Sequence, residues 1–198
     1  MKSLLFATVA GVFAPFLLNA AEIGKSAPEF KAKDLKGVAV SSSDLRGKVV
    51  VLEWLNFSCP FVVKHYSTKN MQELQATYTG KDVVWITVNS SAKGNDGYHE
   101  DSEMAKLAAE NGSKASHFVV DADGTIGKAF GAKVTPHMII IDKEGMLKYD
   151  GAIDSKATTE SADVATADKL FATALNSVLA GKEVANAKNQ PYGCGVKY

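Results

Sequence analysis

The apolar run Val49 to Leu55, VVVLEWL, followed shortly by the dipeptide Cys59-Pro60, limits the fold of this chain more than any other segment. The run is short, rich in β-branched residues and bounded by Gly47 and Pro60, the pattern of a buried central strand. Proline fits the first turn of a helix. The stretch PFVVKHYSTKNMQELQATY places Val63, Tyr66, Met71, Leu74 and Tyr78 at roughly helical spacing, so one long helix is predicted up to Gly80. A thiol therefore stands where a buried strand hands over to a helix.

The rest of the pattern continues the alternation. Val83 to Val88 predicts a second buried strand, Ser102 to Ala109 a short helix, His117 to Val120 a brief strand and Ile126 to Phe130 another helix. Met138 to Ile141 predicts a third core strand, and DKEG at 142–145 a hairpin turn that returns Met146 to Tyr149 as an antiparallel edge. A last helix is predicted over Asp163 to Leu179, closed by Gly181, and the tail from Lys182 shows no periodicity. This order implies an α/β fold, a mostly parallel sheet with an antiparallel edge and helices on both faces. The loop SSAKGNDG at 90–97 follows the second strand, on the side where open α/β sheets hold their sites.

Residues 1–21 are expected to be a secretory signal peptide: Lys2 precedes an apolar stretch from Leu4 to Leu18, and Ala20 and Ala21 follow. That stretch falls short of the roughly 20 residues a membrane-spanning helix needs, and Pro15 interrupts it. The expected organisation is a leader over 1–21, one domain over 22–181 and a tail over 182–198 that carries Cys194. The product would be exported, periplasmic or secreted, with no membrane attachment after cleavage. Without Lys2 there are 21 basic and 22 acidic residues, and Arg46 is the one arginine, so a nucleic-acid surface is not expected.

Cys59 sits at a predicted helix N-terminus, where unpaired amides and the helix dipole favour the thiolate, the form that attacks disulfides and peroxides. An inert buried cysteine is the competing reading. Glu53 is the single charge in VVVLEWLNF, and a carboxylate taken from water has a raised pKa, which suits a proton acceptor near a thiol. Pairing with Lys48 or Lys64 is the alternative for it. His137 is read as packing.

The chain resembles the redoxin branch of the thioredoxin superfamily, the alkyl hydroperoxide reductase and thiol-specific antioxidant group, over the whole of its expected mature length. The likeness lies in GKSAPEF at 24–30, DLKGVAVSSSDLRGKVVVLEW at 34–54, NFSCPFVVKHY at 56–66, VTPHMIIID at 134–142 and YGCGVKY at 192–198. Within that branch it is similar to a peroxiredoxin-like subgroup sharing Cys-Pro-Phe-Val and a terminal Gly-Cys. The resemblance implies a thioredoxin-like, peroxiredoxin-type central mixed sheet flanked by helices. It also implies a thiol-dependent oxidoreductase or antioxidant that needs no metal, flavin or nucleotide cofactor. Its substrate would be a disulfide or hydroperoxide, and its partner an external thiol or thioredoxin-like electron donor.

Carried over residue by residue, the resemblance makes Cys59 the nucleophile and Glu53 the buried acid six residues before it. It makes Thr135-Pro136 the cis-proline turn that faces the thiol and offers the Thr135 backbone to a bound polypeptide. Pro60 and Asn56 join Thr135 and Pro136 as substrate-positioning candidates. The departures are equally definite. Val62 stands where dithiol thioredoxins have a second cysteine, and Val63 where copper-delivering relatives have one. Leu52 and Asn56 replace the proline and threonine of typical peroxiredoxins, and Arg46 precedes the strand where those proteins use a later arginine to hold the peroxide.

Cys194, flanked by glycines that leave its backbone mobile enough to approach a partner, is the candidate resolving thiol. A structural bridge to Cys59 is the alternative, since closing so long a loop stabilises a fold by about 4 to 5 kcal/mol on the loop-entropy account. Three functions follow: thiol-disulfide exchange or hydroperoxide reduction, a non-catalytic polypeptide-binding module with an inert disulfide, or a copper carrier using Cys59, Cys194 and His137.

Overall fold

Every residue of the predicted central strand is buried in the computed structural model, which describes residues 21–198. The expected leader thus lies, except for Ala21, outside the described residues. The chain enters through a small hairpin, β1 (Lys31–Lys33) and β2 (Ala39–Ser41), which the polar entry sequence did not predict. It continues through β3 (Val50–Trp54), α1 (Pro60–Ser67), α2 (Asn70–Thr79), β4 (Val84–Asn89), α3 (Asp101–Glu110), β5 (His117–Val120) and α4 (Thr125–Phe130). Then come β6 (Val134–Thr135), β7 (His137–Ile141), β8 (Leu147–Gly151), α5 (Asp163–Thr166), α6 (Leu170–Leu179) and β9 (Cys194–Gly195).

The main sheet has the order β5-β4-β3-β7-β8. β3, β4 and β5 run parallel, whereas β7 is antiparallel to β3 and β8 to β7. The third core strand was expected in the parallel set. Instead it is reversed: after the short β6 the chain enters β7 at His137 opposite Trp54, at the Cys59 end of the sheet. β8 forms the edge, as its hairpin turn implied.

Alternation along β3 divides the core. Val51 and Leu55 pack with Val62, Tyr66, Met71, Trp85 and Phe171 beneath α1, α2 and α6. Val50, Leu52 and Trp54 pack on the other face with Ile126 and Phe130 of α4. Each such side chain, fully buried, contributes about 1.5–3 kcal/mol.

Two predicted helices are broken. The single helix after Cys59 divides at Lys69, which is in the left-handed region at φ 64°, and the last helix divides at Ala167, which is extended. Apolar spacing continues through both breaks, so periodicity could not reveal them. Within α1 it is Val62, four residues before buried Tyr66, and not Val63, that faces the core, and Val63 is 46% exposed. Among the described residues no helix is long and apolar enough to cross a membrane.

Candidate functional site

The site is built where β3 ends. Asn56 is buried; its Oδ1 accepts the Ser58 amide at 2.8 Å and its carbonyl the Cys59 amide at 3.0 Å, which closes the turn between strand and helix. Cys59 is the N-cap residue of α1 and Pro60 opens the helix, as the sequence implied. The Thr135-Pro136 peptide is cis, and the Thr135 carbonyl accepts the Cys59 thiol at 3.2 Å.

The tail completes the arrangement. β9 pairs antiparallel with β6 in a register that sets Cys194 opposite Thr135 and Gly195 opposite Val134. The carbonyl of Thr135 holds Cys59 while its strand partner is Cys194, so one residue of the cis-proline turn brings both cysteines together. Cys59 is 1% exposed and Cys194 is half-buried.

Electrostatics separate the two thiols. Burial pushes Cys59 up, but the Cys194 thiol, the Thr135 hydroxyl and the amides of Val62 and Cys194 outweigh it and hold Cys59 below its ordinary value. The Thr135 hydroxyl is buried and makes no hydrogen bond, so it is uncommitted beside the thiol and can turn toward a Cys59 thiolate. Cys194 is pushed up to about 12 by burial, then by its hydrogen bond to Cys59 and by the charge on Cys59. One thiol is poised to ionise while its neighbour keeps its proton.

Glu53 is fully buried on the α1 side of β3 and pairs with neither Lys48 nor Lys64. Lys48 bonds Asp82 on the surface, and Lys64 reaches the Lys156 carbonyl at 2.8 Å. The oxygens of Glu53 accept instead from Tyr66 Oη at 3.0 Å, Gln75 at 2.8 Å, the Trp85 indole at 2.7 Å and Thr87 at 3.2 Å. Burial raises its pKa against the opposing effect of these donors. None of them is a cysteine.

The remaining sequence candidates lie elsewhere. His137 Nε2 is 2.7 Å from Asp150 Oδ1, on the strand after the cis-proline. Arg46 bonds the Glu144 carbonyl before the start of β3, so about 16 Å of strand separates it from the Cys59 end. No arginine can reach the thiol. Sequence reasoning missed a buried cluster beside the tail, in which Tyr192 Oη donates to Asp154, with Lys64 Nζ and His65 Nε2 each 3.4 Å from that hydroxyl. The signal was present as two ionisable residues, Lys64 and His65, adjacent on a helix whose other face is apolar.

A strand, a thiol at a helix N-terminus and a cis-proline turn against it are features shared with known redox proteins, and the profile of the Redoxin family matches residues 22–170. The chain belongs to the Redoxin family. The thiol-disulfide oxidoreductase ResA of Bacillus thuringiensis is 30% identical over 128 residues, 63% of this redoxin, which in turn spans 66% of that relative. An uncharacterized conserved protein from Geobacillus kaustophilus superposes with a TM-score of 0.74 at 25% identity, covering 91% of this chain and 94% of the other. The thioredoxin domain of a thiol-disulfide oxidoreductase from Bacteroides vulgatus shares the fold, with a TM-score of 0.54 at 19% identity over 74% of this chain and 98% of its own. The mixed sheet is thus that of thioredoxin-like proteins.

Proposed function

We propose that this redoxin is an exported thiol-disulfide oxidoreductase in which Cys59 is the nucleophile and Cys194 the resolving thiol. The observation that carries the reading is the β6–β9 register, which sets Cys194 opposite the residue whose carbonyl holds Cys59. The Cys59 thiolate attacks one sulfur of a substrate disulfide, forming a mixed disulfide and expelling the other sulfur as a thiolate that takes up a proton. Loss of charge on Cys59 removes two of the influences that keep Cys194 protonated, and Cys194 can then attack Cys59 Sγ. The second substrate thiol leaves. The substrate has gained two electrons, the protein holds a Cys59–Cys194 disulfide, and an external thiol or thioredoxin-like donor returns it to the dithiol.

Hydroperoxide reduction follows the same residues: Cys59 takes the terminal oxygen as a sulfenic acid, the other oxygen leaves as the alcohol, and water is released when Cys194 attacks. The position of Arg46 argues for disulfides as the faster substrates. Asn56 and Pro60 fix the thiol at the helix, and Thr135 and Pro136 hold it and present the backbone. Glu53 acts as a positioning residue: its lone pairs are engaged by four donors, and through Tyr66 and Gln75 it ties β3 to the helices that follow Cys59. The leader over residues 1–21, the domain to residue 181 and the tail beyond it remain the proposed organisation, with N-terminal sequencing of the envelope fraction as its test.

The mechanism is tested by treating reduced protein with one equivalent of a low-molecular-weight disulfide and mapping the products without reductant. A Cys59–Cys194 disulfide is expected. A stable mixed disulfide on Cys59 with Cys194 free would remove the resolving role.

A further inference from the structure

The tail is attached at more points than a resolving cysteine requires. Asn189 Oδ1 accepts the Ala152 amide at 2.8 Å, and Tyr192 Oη donates to Asp154 while its ring lies 5.8 Å from that of Phe61. Beyond β9, the Val196 amide donates to the Lys133 carbonyl at 2.9 Å and the Lys197 carbonyl accepts the Ala92 amide at 2.7 Å. Tyr198 Oη donates to the Ala132 carbonyl at 2.6 Å. The backbone of Val134 and Thr135 is thereby paired to the tail, and Cys59 is 1% exposed beneath it.

Gly193 is the point of closest approach. Its φ is +137°, and a Cβ there would collide with the Thr135 carbonyl oxygen, the acceptor of the Cys59 thiol. Only glycine fits at this position.

We propose that residues 189–198 are a built-in occupant of the polypeptide-binding edge formed by Val134 and Thr135, so that Cys59 meets a protein partner only while the tail is undocked. The inference rests on Cys59 being the nucleophile. The tail also shows what the edge accepts: an extended segment, antiparallel to β6, with its cysteine opposite Thr135 and glycine immediately before it. A partner polypeptide of that form competes with the tail for one set of backbone groups. Tyr192, Gly193 and Tyr198 set how often the site is open by deciding how readily the tail yields.

The test uses the full chain with Cys194→Ser, which isolates the gate from resolution. Cys59 alkylation by iodoacetamide is timed in this parent, in Gly193→Ala and in Tyr198→Ala, each on the same background. Because the rate follows the undocked fraction, both variants are expected to react about tenfold faster. A synthetic peptide of residues 189–198, with serine in place of Cys194, is expected to slow them again by refilling the edge. Rates in both variants within about twofold of the parent would overturn the proposal. So would acceleration that the peptide fails to reverse, since that marks general loosening. Failure of the two-cysteine protein to form its disulfide while the peptide still protects Cys59 would instead strike the resolving role and leave the gate intact.

Discussion

Glu53 is an acid that folding has taken out of water and surrounded with four neutral donors. Its pKa is raised, so the folded chain holds that proton to higher pH than the unfolded chain, whose glutamates titrate near 4.3. The resulting stability is fully present below about pH 4.3 and is lost as pH rises through the folded pKa. Glu53→Gln retains an acceptor for Gln75, Trp85 and Thr87 and can donate to Tyr66, so it is expected to fold. The stability of wild type relative to Glu53→Gln should fall as pH rises from 4 to 7, measured by urea midpoints; a rising difference would mean that the donors hold the carboxylate ionised. Glu53→Leu strands the donors, at about 1–3 kcal/mol for each left unpaired, and should lose more than about 3 kcal/mol. Thiol exchange that slows in Glu53→Gln without a change in stability would restore Glu53 as a proton acceptor. The sequence made this residue visible because a lone charge in VVVLEWLNF must be either buried or wrong for a strand. It could not show the partners, which come from α1, α2 and β4.

At the scale of elements, β3, β4 and β7 were legible because continuous apolar runs have few alternatives in a chain of this size. The break between α1 and α2 was not, since Lys69 adopts its left-handed conformation without the glycine that would signal it. Lys69→Gly relieves that conformation and is expected to raise stability by about 1 kcal/mol in chemical denaturation; no gain would mean that the lysine side chain compensates locally. The break also sets the surroundings of His65. Burial lowers its pKa to about 4, with Asp154 acting against the shift and Lys64 adding to it. A depressed histidine contributes stability that is present above its unfolded pKa near 6.5 and lost as pH falls toward 4, about 3 kcal/mol in all. This slope runs opposite to that of Glu53, so the global acid transition mixes the two. Imidazole resonances followed by NMR should place the His65 midpoint near 4, and a midpoint at or above 6 would contradict its burial as the neutral form.

For the molecule as a whole, the part that sequence could not supply is the path of residues 182–198. The tail is held by main-chain pairing, hydroxyl groups and glycine clearance, none of which has a period, so the pattern gave a mobile thiol where the fold has a docked one. That difference bears on the redox equilibrium. In the proposed cycle, the Cys59–Cys194 disulfide competes with two glutathione mixed disulfides through the effective concentration of one thiol at the other, and anchors that hold the reduced tail in place raise that concentration. Tyr192→Phe deletes the hydroxyl that donates to Asp154 and leaves Asp154 Oδ1 with the Lys156 amide as its partner. A hydrogen bond to a charged group contributes about 1.5–3 kcal/mol, and part of that loss falls on the docked state of the reduced tail. The variant is therefore expected to need about tenfold less reduced glutathione squared over oxidised glutathione to open its disulfide, read by trapping free thiols at equilibrium. The oxidised protein should remain more stable to urea than the reduced one in wild type and variant alike, because the cross-link acts mainly on the unfolded chain. If Tyr192→Phe leaves the glutathione equilibrium unchanged, the anchor does not govern the approach of Cys194 to Cys59, and β6–β9 pairing alone must supply it.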